Sequence, residues 1–113
     1  MTVKTLAQNE LGSVKRLCNH KCACTQIHFK NLLWTFSWPQ IEPLSNYVDY
    51  LLTTEGFLDN QFDQERTVVL MEEHMMSALM NHEELAQFQT LLETARIEHT
   101  RQHLMDHHSP IRP

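Results

Sequence analysis

The sequence predicts an all-α protein: a small bundle of three to five helices with one extended aromatic segment near residues 26–40. Three observations carry this expectation. Only two glycines, Gly12 and Gly56, occur in 113 residues, too few for a turn-rich β-sandwich or a nucleotide-binding α/β domain, both of which need many positions with φ > 0. Apolar residues recur at helical spacing from Leu44 to Leu52 and again from Leu85 to Ala95, and that period marks an amphipathic helix. Between Asp59 and Met80 there is neither proline nor glycine, leaving room for an uninterrupted helix of about 20 residues.

Taken in order, residues 3–24 show a broken helical pattern, with Leu6, Leu11, Val14, Leu17 and Cys18 on related faces and Gly12-Ser13 interrupting them. Ser13 is placed to cap a short second helix. From Ile27 and Phe29 to Leu32, Trp34, Phe36 and Trp38 the apolar residues fall every second position. Such alternation belongs to a strand, but a single strand has nothing to pair with unless a second copy supplies it, so the segment reads as extended and irregular. Pro43 suits the first turn of the next helix, in which Leu44, Tyr47, Val48, Leu51 and Leu52 form one face. Gly56 stands where a left-handed residue would end that helix. Val68, Val69, Met71, Met75, Met76, Leu79 and Met80 give the following helix a broad apolar face opposed by Glu73, His74 and Ser77. Asn81-His82-Glu83-Glu84 is a capping-box pattern that starts another helix near His82. In it, Leu85, Phe88, Leu92, Ala95, His99, His103 and Asp106 make one stripe whose chemistry turns from apolar to ligand-like. Pro110 bars further helix. The whole chain, 1–113, is expected to be one domain, with 1–12 and 107–113 as flexible ends.

Composition excludes several function classes. With 42% hydrophobic and 20% charged residues the chain should fold. Its formal charge of −5 opposes direct nucleic-acid binding, which draws on clustered Lys and Arg. A modest basic bias lies in the first 30 residues, at Lys4, Lys15, Arg16, Lys21 and Lys30. No apolar leader core and no window of 18 apolar residues occurs, so neither secretion nor membrane insertion is expected. Cys18, Cys22 and Cys24 are odd in number and crowded, which fits reduced thiols in the cytosol and no structural disulfide.

Chemistry-bearing clusters are sparse. On a helix, His99, His103 and Asp106 point one way, and two imidazoles with a carboxylate suit zinc or another first-row metal. A helix end leaving the core explains the same residues. Cys18, Cys22, Cys24 and His28 form a second cluster, with His20 and Lys21 inside it, but one knuckle without a second falls short of a structural zinc site. Glu65 and Glu72 project onto the apolar arc of the 59–80 helix, where a carboxylate needs a partner or the rim. The repeated Glu-x-x-His pairs of di-metal bundles are missing, as are the nucleophile-elbow, P-loop and His-Glu-x-x-His motifs. No cofactor and no enzymatic activity is therefore expected.

Binding has better material. Trp34, Phe36, Trp38, Tyr47 and Tyr50 fall within 17 residues, and four of the six methionines lie between Met71 and Met80. Aromatics are enriched at interface hot spots and methionines make adaptable surfaces. The expected partner-binding residues are Trp34, Phe36, Trp38, Leu44, Tyr47, Val48 and Leu51, and so much apolar surface on a small chain favours a homodimer.

Two resemblances bear on function. Glu55-Gly56-Phe57-Leu58-Asp59-Asn60-Gln61-Phe62 resembles the opening of plant-type histidine phosphotransfer proteins, which are helical bundles, but the glycine-containing motif around that family's phosphorylated histidine has no counterpart at His74 or His82. In size, acidity and expected helical content the chain also resembles small bacterial anti-activators that bind quorum-sensing transcription factors. That likeness implies a regulator which binds another protein, a transcription regulator in the family's case, and inhibits it by covering the surface needed for assembly or DNA binding. The alternative is a metal-binding or metal-sensing protein using His99, His103 and Asp106.

Overall fold

Residue alternation, not helical periodicity, organises the chain as far as Phe36. The computed structural model describes residues 2–18, 23–71 and 74–107, without the side chains of Thr2, Cys18, Ala23 and residues 105–107. Strands β1 (Thr2–Gln8), β2 (Gly12–Cys18), β3 (Ala23–Phe29) and β4 (Leu32–Phe36) form an antiparallel meander in that order. The chain is thus mixed, with helices laid on antiparallel sheet, and the all-α expectation is overturned. Val14, Ile27 and Trp34 share one row, Arg16, Thr25 and Phe36 the next, and both rows face inward. Ser13, Lys15, Leu17, Gln26, His28 and Leu33 take the other face, because side chains change face at every residue. The extended aromatic segment is therefore itself a hairpin, β3 pairing β4 with Ile27 opposite Trp34 and Phe29 opposite Leu32, and β2 of the same chain pairs its other edge. The reason for expecting a second copy at this strand falls away.

The sheet's edges are guarded. β1 carries Lys4 and a bulge between Thr5 and Ala7, both of which discourage edge-to-edge association. β4 is short, and the Thr35 carbonyl on it accepts a hydrogen bond from His74. At the β1–β2 turn, Asn9 Oδ1 accepts from the backbone N–H groups of Leu11 and Gly12. Residues 2–8, expected as a flexible end, are strand; residues 108–113 lie outside the described part.

A 3₁₀ turn (Trp38–Gln40) leads into α1 (Ile41–Leu51), close to the expected helix, with Pro43 in its first turn. Gly56 does not end α1. It lies inside the short helix α2 (Thr54–Asp59) and has no positive φ. A Cβ there would stand 1.9 Å from the Tyr50 carbonyl oxygen, so glycine is needed for the close approach of α2 to the end of α1.

The expected helix over 59–80 is replaced by the hairpin β5 (Arg66–Met71) and β6 (Met76–Asn81), a separate two-stranded sheet. Thr67, Val69, Met71, Ala78 and Met80 face inward; Leu70 and Leu79 face out. Glu65 is exposed before β5, and Glu72 and Glu73 lie outside the described residues. Helix α3 (His82–His107) follows at once. Its start is the reciprocal box expected from sequence: Glu84 N–H donates to Asn81 Oδ1 at 2.8 Å and Asn81 N–H to Glu84 Oε1 at 2.9 Å. Lys30 also pairs with Glu84. Asn81→Ala is expected to cost about 1 kcal/mol, measurable as a lower urea midpoint with unchanged slope.

Leu85, Phe88, Leu91, Leu92 and Ala95 of α3 join Phe29, Trp34, Val48 and Leu51 in a single core between sheet and helices. Phe88 stands at its centre, 5.0 Å from the Phe29 ring and 6.1 Å from Trp34. A buried polar seam fixes how α1 meets α3: Gln89 Nε2 donates to the Ser45 carbonyl and to Asp49, and Arg96 donates to Ser45 Oγ. Because buried polar groups must find partners, this seam sets register between the two helices. At 26 residues, roughly 39 Å long, α3 outreaches the seven-residue strands it crosses, and its last turns stand past the core.

Candidate functional site

Gln40, at the end of the 3₁₀ turn, and Pro43, Leu44 and Tyr47 of α1 share one side, and β5 lies opposite. Between them is a cleft of about 480 Å³, within the range of ordinary ligand sites. Phe36, Leu44 and Met71 are its buried apolar floor, while Pro43 and Leu70 form an exposed rim. Gln40, Tyr47, Asn60 and His74 supply polar groups.

The polar groups are held by the backbone around them. Leu70 N–H, on the edge of β5 away from β6, donates to Tyr47 Oη at 3.0 Å. Asn60 Nδ2 donates to the Gly56 carbonyl, and the Asn60 carbonyl accepts from Val68 N–H. His74 is fixed by two contacts. Its Nε2 lies 2.7 Å from the Thr35 carbonyl and its ring meets Phe36 edge-on at 4.7 Å. A carbonyl oxygen only accepts, so Nε2 carries the proton, and Nδ1 is buried with no hydrogen-bond partner among the described residues. Met75, next in the chain, has φ 51°, a conformation uncommon for a residue with a side chain. The tip of the hairpin is thereby turned so that His74 reaches β4 while Met75 stands 93% exposed. What this lining offers is grip: an apolar floor, one oriented imidazole, and amide groups at the rim.

Of the partner-binding residues expected from sequence, Phe36, Leu44 and Tyr47 meet in this cleft. Trp34, Val48 and Leu51 do not reach the surface; each is buried in the core, so they act through packing, and the Trp34 indole N–H donates to Met76 Sδ. Phe36 and Leu44 are buried as well and are reached only from the cleft. Trp38 is half-buried elsewhere, stacked on His99 with ring centroids 3.9 Å apart and planes at 16°. Met71 enters from the sequence only as one of the clustered methionines, and Asn60, Leu70 and His74 carry no binding signal there. Only the pairing of β5 beside α1 brings them there, and the run Val68–Met71 carries no period that reveals it.

Only some of the metal candidates are described. His99 faces Trp38, and its pKa is lowered from the ordinary value by desolvation first, then by the charges of Arg16 and His103. A guanidinium close enough to act on His99 also repels a metal cation. The Asp106 side chain lies outside the described residues, as do His20, Lys21, Cys22 and the Cys18 side chain. Cys24 is half-buried and unbonded, on the outer face opposite Leu17. Among the described residues no group of three His, Cys, Asp or Glu is placed to hold a metal.

Glu55–Phe62, the segment similar to histidine phosphotransfer proteins, forms α2 and the turn after it, beside a sheet and not in a helical bundle. A family model matches residues 1–109, through every described element. The chain belongs to that family, described as a family of unknown function (DUF6686). Comparison with curated proteins and with solved structures finds no match. The DUF6686 match covers both sheets and α3 together, so the cleft lies wholly within it.

Proposed function

We propose that this chain is a protein-binding module whose cleft between α1 and β5 takes up an apolar side chain of a partner protein. The observation that carries the reading is the continuity of apolar surface past the rim. Leu70 lines the cleft and is 44% exposed. It shares the outer face of the hairpin with the cross-strand pair Val68 and Leu79, and Met75 stands at the tip. A site for a small metabolite has no need of apolar surface outside its mouth, whereas a protein interface surrounds its central pocket with further contact area. Tyr47 at the side and Phe36 in the floor supply the aromatic surface that such pockets favour.

By holding a residue that the partner would use in its own assembly, the module would inhibit by occlusion. Among the described residues no helix is long and apolar enough to cross a membrane; a cytosolic place of action is part of the proposal and rests on the crowded, odd-numbered cysteines.

The test is selection of peptides from a random displayed library on the immobilised protein, followed by affinity measurement with Leu70→Lys. Because Leu70 points outward, the variant stays folded. Selected peptides are expected to share an apolar or aromatic anchor and to lose roughly tenfold or more in affinity. Unchanged affinity for Leu70→Lys would remove the cleft from the proposal.

A further inference from the structure

Every described arginine but one has a carboxylate. Arg66 pairs with Asp63, Arg96 with Glu93 and Arg101 with Glu98; among the described residues Arg16 has no such partner. It lies on the inward face of β2, half-buried, directly opposite Lys4 of β1. Lys4 likewise makes no ion pair among the described residues. Two cations facing each other across adjacent strands repel, and a guanidinium partly removed from water needs an anion to offset its desolvation. Helix α3 covers this side of β1 and β2, and among its described side chains no carboxylate pairs with Arg16 or Lys4. Glu98 is turned away: both its oxygens accept from Arg101, and Gln102 donates to one of them.

We infer that Arg16 and Lys4, with His99 beside them, form a site for a small tetrahedral oxyanion of the phosphate or sulfate class. The planar guanidinium offers paired N–H donors suited to such an anion, and Lys4 adds a mobile ammonium from the exposed edge strand. Trp38, stacked on the His99 ring, closes one side and holds the imidazole in place. His99 completes the logic. Without an anion, burial and the Arg16 charge shift its ring toward the neutral form; His103, one turn farther along α3, adds to the same effect. A bound dianion reverses the balance and favours the imidazolium, so binding takes up a proton and tightens as pH falls. Among the described residues the charged groups that act on His99 are Arg16 from β2 and His103 from its own helix, with Lys4 across from Arg16 on β1 and Trp38 contributing no charge.

The test uses sulfate, which stays doubly charged throughout, titrated into the full chain at constant ionic strength between pH 7.5 and 6.0 and followed at the His99 and Trp38 ring signals by NMR. Saturable binding is expected, stronger at the lower pH. Arg16→Gln should weaken it about tenfold and Lys4→Gln about two- to threefold. Lys15→Gln removes the same charge one residue away, on the opposite face, and should leave it unchanged. Should Arg16→Gln not fold, the comparison of Lys4→Gln with Lys15→Gln on exposed positions decides alone. Equal loss in those two variants, or no saturation below about 20 mM sulfate, overturns the site.

Discussion

Phe88→Ala is expected to destabilise the protein by about 3 to 5 kcal/mol. Phe88 is fully buried and its ring touches both Phe29 and Trp34, joining α3 to two strands of the meander. Truncation removes the ring's transfer free energy and leaves a cavity that a sheet on one side and α1 on the other hinder from collapsing. Domains of this size have about 5 to 15 kcal/mol in total, so the variant would keep little of its stability. Its melting temperature should fall by roughly 10 to 20 °C, read by far-ultraviolet circular dichroism. Leu104→Ala, on an exposed turn of the same helix, should stay within about 0.5 kcal/mol. Equal effects from the two would mean that α3 does not lie on the sheet as described.

Gly12→Ala should come next, at roughly 3 kcal/mol. The reason is space, since Gly12 has no positive φ. A Cβ would stand 1.9 Å from the His28 carbonyl oxygen and 2.9 Å from Phe29 Cα. Both neighbours are backbone of the adjoining strand, so no side chain can swing aside. The methyl would have to push β2 from β3 where Asn9, Leu11 and Lys30 tie the two turns together. Urea unfolding followed by Trp fluorescence measures the cost. A midpoint within error of the parent would show that the two strands do not approach so closely.

How much of this was legible depends on what each face carries. In α1, and in α3 from Leu85 to Ala95, one face is buried and apolar, so the 3.6-residue period survives in the sequence, and the box at Asn81 and Glu84 marks where α3 begins. β2 hides its period because its inward positions are Gly12, Val14 and Arg16, of which only Val14 is apolar. In β1 the bulge at Thr5–Ala7 shifts the alternation midway, so Leu6, Leu11, Val14 and Leu17 mimic a helix. β5 and β6 are apolar on both faces, Val69 and Met80 inward, Leu70 and Leu79 outward, and a continuous apolar run does not distinguish strand from helix. The feature that concealed this hairpin is the one that gives it an apolar outer face for a partner. Likewise Phe36, Leu44 and Tyr47 could be named from aromatic clustering, while Asn60, Leu70 and His74 join them only through tertiary pairing. The aromatic concentration itself was ambiguous: Trp34 went to the core and Trp38 to a stack on His99, and neither choice is written in spacing.

The central claim, that the α1–β5 cleft receives a partner's apolar residue, is tested most directly by NMR titration of the isotope-labelled protein with a selected peptide. The largest shift changes should fall on Leu44, Tyr47, Leu70, Met71 and His74, saturating together with one dissociation constant. Changes confined to the outer face of the meander, at Val3, Gln26 or Leu33, with the cleft signals unmoved, would contradict it.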